Sequence, residues 1–391
     1  MMAPNCAATA ADERAGGAHG AAQTAAATIY RGHGGGTLKH LRLMAVLVTM
    51  MLIATACAGG GASPSADEES EAPASQAAES QPAESEAAET PDKLTIGFVP
   101  SSEAGQLVED IQPLADFLSE ELGITVEGTV TNDYTGLVTA METGQAQIAA
   151  LPPFGLLQAM DRAGAEVILQ SERNGSGTYH TQFFTNDPDK YCTESEPEEN
   201  TRVVEDEDVT YLNCNGTARE NEDTPEGPIG LEALANIEPG TTMSFVEQTS
   251  ASGYIFPATV LLTEGLNPES DIEPLFAGSH DASVIAVCEG DAEVGVSFDD
   301  ARTIATTDCD VANNVVVFAY GPEIPNDGVA VSGDLPDDLK EQIKQALIDY
   351  SETDEGKEVL DSIYQITAFT EPNLDALEIV RQAVDELGFE G

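Results

Sequence analysis

Apolar and polar positions alternate after residue 93 as expected for strands followed by helices. The run LTIGFV at 94–99 predicts a buried strand. Residues 110–122 then place apolar side chains on one helical face, and the set is Ile111, Leu114, Leu118 and Leu122. The alternation continues with strands at 124–130, 148–151 and 167–170 and helices at 134–142 and 154–162. Strands separated by helices predict parallel βαβ units, and therefore an α/β fold.

A second α/β series follows an irregular segment. It comprises strands at 242–246, 272–276, 292–298 and 314–319 and helices at 251–264 and 281–289. Residues 329–332 predict a strand that returns to the first unit, and helices at 336–350 and 373–387 close the chain. We therefore expect two lobes, 93–185 plus 329–391 and 186–328, joined by hinge strands near 180–186 and 320–330. Ligands of such sheets bind beyond the carboxyl ends of the strands, which places a site in the cleft.

The irregular segment, 187–228, carries fourteen acidic and three basic residues and interrupts the second lobe. We interpret it as a surface insertion held by a disulfide. Four cysteines follow residue 93 and allow three connectivities; Cys192–Cys214 and Cys288–Cys309 are favoured because both close short loops. A zinc site is the alternative, but the cysteines lack CxxC spacing, so we expect no metal.

The first 92 residues contain targeting signals. In segment 1–56, a basic stretch precedes an uncharged run at 44–56, whose thirteen residues are too few to span a hydrocarbon core of ~30 Å, so it is typical of a signal peptide. ATAC at 54–57 resembles a bacterial lipobox, which makes Cys57 the lipidated residue; ordinary cleavage after the small residues is the alternative. Residues 58–92 hold nine acids and no base, so 57–92 predicts an extended acidic tether. The folded part is then expected outside the cell membrane, anchored to its outer face.

Charge narrows the function further. Among 391 residues, 70 are acidic and 15 are Lys or Arg, giving a formal net charge of −55. So few cations exclude a nucleic-acid binder that depends on neutralising phosphates. The acidity indicates either high-salt surroundings, where screening weakens self-repulsion, or simply an acidic secreted protein.

Three motifs carry candidate chemistry. TSASGY at 249–254 follows a strand and begins a helix, so its backbone N–H groups and serine hydroxyls form a candidate anion site, although a helix cap alone would use the same residues. FAGSHD at 276–281 repeats this arrangement with a histidine, which could equally be a helix-entry residue. VSFDDAR at 296–302 ends a strand with paired acids that could accept from a ligand, or could simply be solvated.

These motifs, together with LTIGFVP at 94–100, TNDY at 131–134, GQAQIAA at 144–150 and IPND at 324–327, resemble the phosphonate/phosphite-binding lipoproteins of ABC importers. The resemblance covers most of residues 93–370. It implies an α/β, two-lobed clamshell of the type II periplasmic-binding-protein class. It also implies a binding component, without covalent chemistry or cofactor, that delivers its ligand to an ABC permease and ATPase complex. We expect a monomer.

The resemblance also assigns site residues. The donors to a phosphorus oxyanion would be Ser250, the backbone at Ala251, Ser252, Tyr134 and His280. Tyr179 would be the aromatic wall of the site. Asp300 or Asp299, with Asp327, would supply carboxylates on the far side of the ligand. This chain departs from the pattern at two positions, with Ala251 where a hydroxyl residue is common and Gly328 in place of proline.

The carboxylates raise the question of which ligand binds. An aminoalkylphosphonate such as 2-aminoethylphosphonate would offer them an ammonium group and is slightly favoured, whereas phosphite or a monoprotonated phosphonate could donate a proton instead. Two other functions stay open at this point. One is a ligand-sensing receptor on the same fold, and the other is a secreted phosphoesterase using Ser250 or Ser252 with His280, which lacks a GxSxG motif.

Overall fold

Strands and helices alternate along the part of the chain that the computed structural model describes, which is residues 90–173, 175–204, 207–219 and 227–389. The strands are β1 Lys93–Phe98, β2 Thr125–Val130, β3 Ile148–Leu151, β4 Glu166–Glu172, β5 Thr178–Thr185, β6 Glu198–Val204, β7 Glu207–Asn213, β8 Thr241–Phe245, β9 Ile272–Phe276, β10 Val294–Phe298, β11 Val316–Pro325, β12 Gly328–Val331 and β13 Ala368–Thr370. The helices are α1 Ala104–Asp110, α2 Gln112–Leu122, α3 Tyr134–Glu142, α4 Pro153–Ala163, α5 Pro188–Tyr191, α6 Phe256–Thr263, α7 His280–Glu289, α8 Val311–Asn314, α9 Asp337–Glu352, α10 Asp354–Tyr364 and α11 Glu378–Leu387. The predicted α/β alternation is therefore present.

The first sheet has the order β13-β4-β12-β3-β1-β2. Strand β1 pairs in parallel with β2 and β3, as expected for βαβ units, whereas β12 returns antiparallel between β3 and β4. Its core is formed with helix α2, whose Leu114 and Leu118 are buried, and with α9 and α10. Helix α2 ends at Gly123, whose φ of 65° is the left-handed conformation that glycine adopts without strain.

The second sheet has the order β6-β7-β11-β5-β10-β8-β9. Strand β5 lies inside this sheet, antiparallel to both β10 and β11, although the lobe boundary expected from the sequence would have assigned it to the first lobe. Because residues 180–185 are all buried, β5 needs partners on both edges and cover on both faces, and the centre of the second sheet supplies them. The chain therefore crosses between the sheets at 173–177 and 326–327.

The two crossings lie side by side. The backbone N–H of Asn326 donates to the carbonyl of Gly177 (2.9 Å), and its side-chain amide donates to the carbonyls of Ser171 (3.0 Å) and Ser176 (2.9 Å). Helix α11 then packs against α4 of the first lobe and α6 of the second. These contacts join the two lobes.

Insertion 187–228 contributes a hairpin, β6 with β7, to the edge of the second sheet. Both favoured disulfides, Cys192–Cys214 and Cys288–Cys309, are confirmed. The first links the beginning of the insertion to the end of its hairpin. The second links the end of α7 to the segment before α8.

The targeting predictions, namely the signal peptide, Cys57 and the tether, lie outside the described residues. Within the described ranges, no helix has both the length and the apolar character needed to cross a membrane. The same ranges contain no group of three or more His, Cys, Asp or Glu residues placed to hold a metal ion.

Candidate functional site

The segment after β8 builds the centre of the candidate site. Ser250 caps a helical turn, Ala251–Ile255, that leads into α6, and its hydroxyl accepts a hydrogen bond from the N–H of Gly253 (3.2 Å). A side chain at Gly253 could not fit, because its Cβ would lie 2.4 Å from Cβ of Val246 and 2.7 Å from Oγ of Ser250. The first N–H groups of a helix have no acceptor within the helix, so those of Ala251 and Ser252 can donate to a ligand.

Tyr134 reaches this turn from the first lobe. It is the first residue of α3, which Asp133 caps by accepting from the N–H of Gly136 (2.6 Å). The Tyr134 side chain lies beside Ser250, and its backbone N–H donates to the Glu247 carboxylate of the second lobe (3.2 Å). Burial, with neighbouring Tyr364 and Glu247, raises the pKa of Tyr134 well above its ordinary value, so this hydroxyl remains a hydrogen-bond donor.

Tyr179, in β5, lies beside Ser252. Burial is the main reason that the pKa of Tyr179 rises to about 12. Tyr364, at the end of α10, adds a third tyrosine, which like Tyr179 is half-buried. Its hydroxyl donates to the carbonyl of Val99 (2.9 Å) and lies near the side chain of Ser101. Nothing in the sequence motifs had indicated Tyr364 or Ser101, because each reaches the site only through the packing of distant segments.

His280 begins α7 on the other side of the cleft. Its backbone N–H donates to the carbonyl of Ser101 in the first lobe (3.0 Å), and its Nδ1 lies 2.7 Å from Oγ of Ser297. Burial, and secondarily the charge of Arg173, lower the pKa of His280 to about 3. The imidazole is therefore neutral near pH 7. Its Nδ1 partner is Ser297, so this nitrogen is not engaged as a base toward Ser250 or Ser252.

Asp327 lies at the second crossing between the lobes, where it meets an arginine that the sequence analysis did not identify. Arg173, at the first crossing, places Nη2 2.6 Å from Oδ1 of Asp327, and its Nε donates to the carbonyl of Tyr364 (2.8 Å). The guanidinium carbon lies 5.9 Å from the centre of the Tyr179 ring. Only the folded topology brings residues 173 and 327 together, so no local pattern could have indicated the pair.

Asp299 and Asp300 lie in a separate, buried ion-pair network of the second lobe. Asp299 accepts from Arg202 of the insertion hairpin (3.2 Å), and Asp300 from Arg302 (2.7 Å). Burial opposes ionisation of Asp300, but the Arg302 guanidinium outweighs burial and lowers its pKa. The structure thus uses these two carboxylates to hold the insertion and the end of β10, whereas the sequence analysis had expected them beside the ligand.

The site therefore combines neutral donors from both lobes. Tyr134 and Tyr179 face the serines of the Ala251–Ile255 turn, and His280 lies across from Ser101. Such a set can hold an oxyanion without neutralising it by direct contact with a lysine. Ala251 supplies no hydroxyl, so only its backbone can contribute.

The chain is similar to known binding proteins over most of the described residues. The family model described as "ABC transporter, phosphonate, periplasmic substrate-binding protein" matches residues 96–377. The chain is 26% identical over 273 residues to the "Phosphate-import protein PhnD" of Mycolicibacterium smegmatis, with 66% of each protein covered. It is 21% identical over 272 residues to the "Phosphonates-binding periplasmic protein" of Escherichia coli, covering 69% of this chain and 70% of that protein.

A solved structure supports the fold. PhnD1 from Prochlorococcus marinus, determined in complex with methylphosphonate, superposes with a TM-score of 0.61 at 16% identity, covering 76% of this chain and 98% of that one. The two-sheet α/β architecture is accordingly that of type II periplasmic binding proteins. Because the family model spans both lobes and the crossings between them, the chain belongs to the family of periplasmic substrate-binding proteins of phosphonate ABC transporters.

Proposed function

We propose that this protein binds a phosphorus oxyanion in the cleft between its lobes and delivers it to an ABC permease. One observation carries the proposal: Tyr134 of the first lobe lies beside Ser250 of the second, at a helical turn whose first N–H groups have no acceptor within the helix. An oxyanion there would accept from Tyr134, Ser250, Ser252 and the backbone at Ala251, with Tyr179 as a side wall. His280 would donate from its imidazole.

Neutral donors suit this task. A tetrahedral oxyanion presents several acceptor oxygens, and each hydrogen bond to a charged group contributes ~1.5–3 kcal/mol net. Such bonds form best where water is excluded, and the residues concerned are buried: Tyr134 is 4% exposed, Ser250 and Ser252 2% each, and His280 6%. Since donors come from both lobes, the ligand would contact all of them only in the closed form. Binding would thereby shift the population from open to closed.

The relatives narrow the ligand class. The mycobacterial relative is named for phosphate import, and the P. marinus structure holds methylphosphonate. We propose phosphate, phosphite and small phosphonates as the ligands to examine first. Delivery to a permease would follow from the closed form docking on the membrane complex, with both lobes presented together.

We further propose that the protein works as a monomeric lipoprotein outside the cytoplasmic membrane. Cys57 would carry the lipid, and the acidic segment 57–92 would separate the lipid from the folded lobes. Labelling of cells with a radioactive fatty acid, followed by isolation of the protein, tests the anchor. Cys57→Ala should abolish the label, and a variant that keeps the label would contradict it.

Isothermal titration calorimetry tests the binding proposal. Phosphite, methylphosphonate and phosphate are titrated into the purified protein, with sulfate as an oxyanion without phosphorus. At least one phosphorus ligand should bind with a stoichiometry of one, and Ser252→Ala should weaken it by about tenfold or more, as expected for loss of a hydrogen bond to a charged group. Ser362→Ala, on an exposed part of α10, is the matched control. If sulfate binds best, or none of the phosphorus ligands binds, the proposal is wrong.

A further inference from the structure

Arg173 is the cation placed next to the candidate site. It lies in the turn between β4 and β5, and its side chain is 22% exposed. Three contacts hold the guanidinium: the carboxylate of Asp327 at 2.6 Å, the carbonyl of Tyr364 at 2.8 Å, and the face of Tyr179, whose ring centre is 5.9 Å away. Because Tyr179 lies beside Ser252, this guanidinium is one side chain away from the proposed oxyanion site.

Both carboxylate oxygens of Asp327 already accept hydrogen bonds. Its Oδ1 accepts from Arg173, and its Oδ2 accepts from the hydroxyl of Ser171 (3.0 Å). An ammonium group entering from the cleft would have to share this carboxylate with the guanidinium or displace it. A displaced Arg173 would then lie, without its counter-charge, in a site that is mostly buried, which is costly.

Two other carboxylates that could have received an ammonium are also engaged. Asp299 and Asp300 are paired with Arg202 and Arg302, and these carboxylates are 6% and 3% exposed. Each aspartate that the sequence suggested as an amine acceptor therefore has an arginine partner of its own. At the Tyr179 end of the cleft, the substituent of a ligand would therefore meet the guanidinium of Arg173 and the carboxylate of Asp327, whose charge this guanidinium neutralises.

We propose that Arg173 determines ligand specificity, so that the protein selects phosphorus oxyanions with a small uncharged substituent, such as phosphite or methylphosphonate, over aminoalkylphosphonates. This inference rests on the proposed function. It reverses the slight preference for an amine-bearing ligand that the sequence analysis had favoured. The guanidinium repels an ammonium directly, and it also neutralises the negative charge of Asp327.

Calorimetry with methylphosphonate and 2-aminoethylphosphonate on the full folded chain tests the inference. The wild-type protein should bind methylphosphonate about tenfold tighter or more, since an ammonium left without an acceptor loses a charged hydrogen bond. Arg173→Gln frees the Asp327 carboxylate, so the ratio of the two dissociation constants should fall by about tenfold. Arg162→Gln, which breaks an exposed ion pair with Glu142 (2.8 Å) in the same lobe, should leave the ratio unchanged.

A second variant protects the test against loss of folding in Arg173→Gln. Asp327→Asn keeps the guanidinium but removes its counter-charge, so discrimination against 2-aminoethylphosphonate should increase. A wild-type preference for 2-aminoethylphosphonate overturns the inference. An unchanged ratio of the two dissociation constants in Arg173→Gln overturns it as well. If Arg173→Gln does not fold, an unchanged ratio in Asp327→Asn has the same consequence. In these outcomes a phosphorus oxyanion still binds and the proposed function stands. If the wild type binds neither ligand nor phosphite nor phosphate, the proposed function falls and the inference falls with it.

Discussion

The hydroxyl of Tyr134 offers the sharpest test of the two-lobed site. Tyr134→Phe removes one oxygen and keeps the ring, which is 4% exposed and packs in the cluster that joins α3 to the second lobe. Losing a hydrogen bond to a charged acceptor costs ~1.5–3 kcal/mol, and since ~1.4 kcal/mol corresponds to tenfold, the affinity should fall by about 10- to 150-fold. Alanine would be a poor choice, because truncating a buried aromatic ring costs ~3–5 kcal/mol of stability.

The assay is calorimetric titration of whichever phosphorus oxyanion binds the wild-type protein, with thermal unfolding measured alongside. Tyr350→Phe is the matched control: its hydroxyl is buried in the first lobe without a hydrogen-bond partner, so its removal should change neither affinity nor melting temperature appreciably. An affinity of Tyr134→Phe equal to that of the wild type would refute the assignment of this hydroxyl to the ligand. A loss of affinity in both variants would show that the effect is not local.

Three further predictions concern the pH dependence of stability, the Cys192–Cys214 disulfide and the salt dependence of ligand affinity. His280 has a pKa of about 3 in the folded protein, against ~6.5 in the unfolded chain. Between these pH values the unfolded chain binds a proton that the folded protein does not bind. The free energy of unfolding therefore falls as the pH drops below about 6.5. At pH 5 the free energy of unfolding is lower by ~2 kcal/mol for this reason. In urea titrations at pH 5 and 7.5, His280→Asn should lose less free energy of unfolding between the two pH values than the wild type. An equal loss would contradict this prediction. Replacing Cys192 and Cys214 by serine removes a link across 22 residues and should lower the free energy of unfolding by ~3 kcal/mol, whereas an unchanged urea midpoint would disprove it. Because the net charge is −55, affinity for an anionic ligand should rise as the Debye length falls from ~10 Å at 0.1 M salt to ~3 Å at 1 M, in gluconate as well as chloride, and a fall in both salts would count against long-range repulsion.

Much of the fold could be predicted from local patterns. Helix 134–142 and strand 148–151 were predicted with the bounds that the structure has, because their apolar residues repeat with the period of the element and their ends carry clear signals, such as Asp133 before α3. The predicted helix at 110–122 corresponds to α2, whereas α1, which precedes it and ends at Asp110, was not predicted. Helix α10 was missed, since its short amphipathic pattern directly follows α9 and a single residue, Thr353, separates the two.

The placement of β5 shows where local patterns fail. Its run of buried residues was evident as a strand, but the choice between two sheets depends on which edges are available. That choice is made by the antiparallel pairing with β10 and β11, from segments more than a hundred residues along the chain. The sequence of residues 178–185 alone therefore could not show which sheet this strand joins.

The residues of the candidate site likewise fall into two groups, those that local motifs identified and those that only the folded structure brings to the site. Ser250, Ser252 and His280 were identifiable because each stands at the start of a helix, where the chemistry is local and the motif is contiguous. Arg173 and Tyr364 were not, because they reach the site through contacts between residues almost two hundred positions apart. The aspartates at 299, 300 and 327 were expected beside the ligand, because their arginine partners could not be inferred from the sequence.

The amino-acid sequence by itself determined the acidic character, the α/β class, the disulfide pairs and the hydroxyl-rich helix start, since these depend on composition, periodicity and short spacing. The tertiary structure alone decided which charges meet. An ion pair such as Arg173–Asp327 forms only when the two crossings between the lobes lie side by side, and the free energy of a buried charge depends on that neighbour. The acidity that first excluded nucleic acid as a partner therefore does not describe the Tyr179 end of the cleft, where Arg173 neutralises the carboxylate of Asp327.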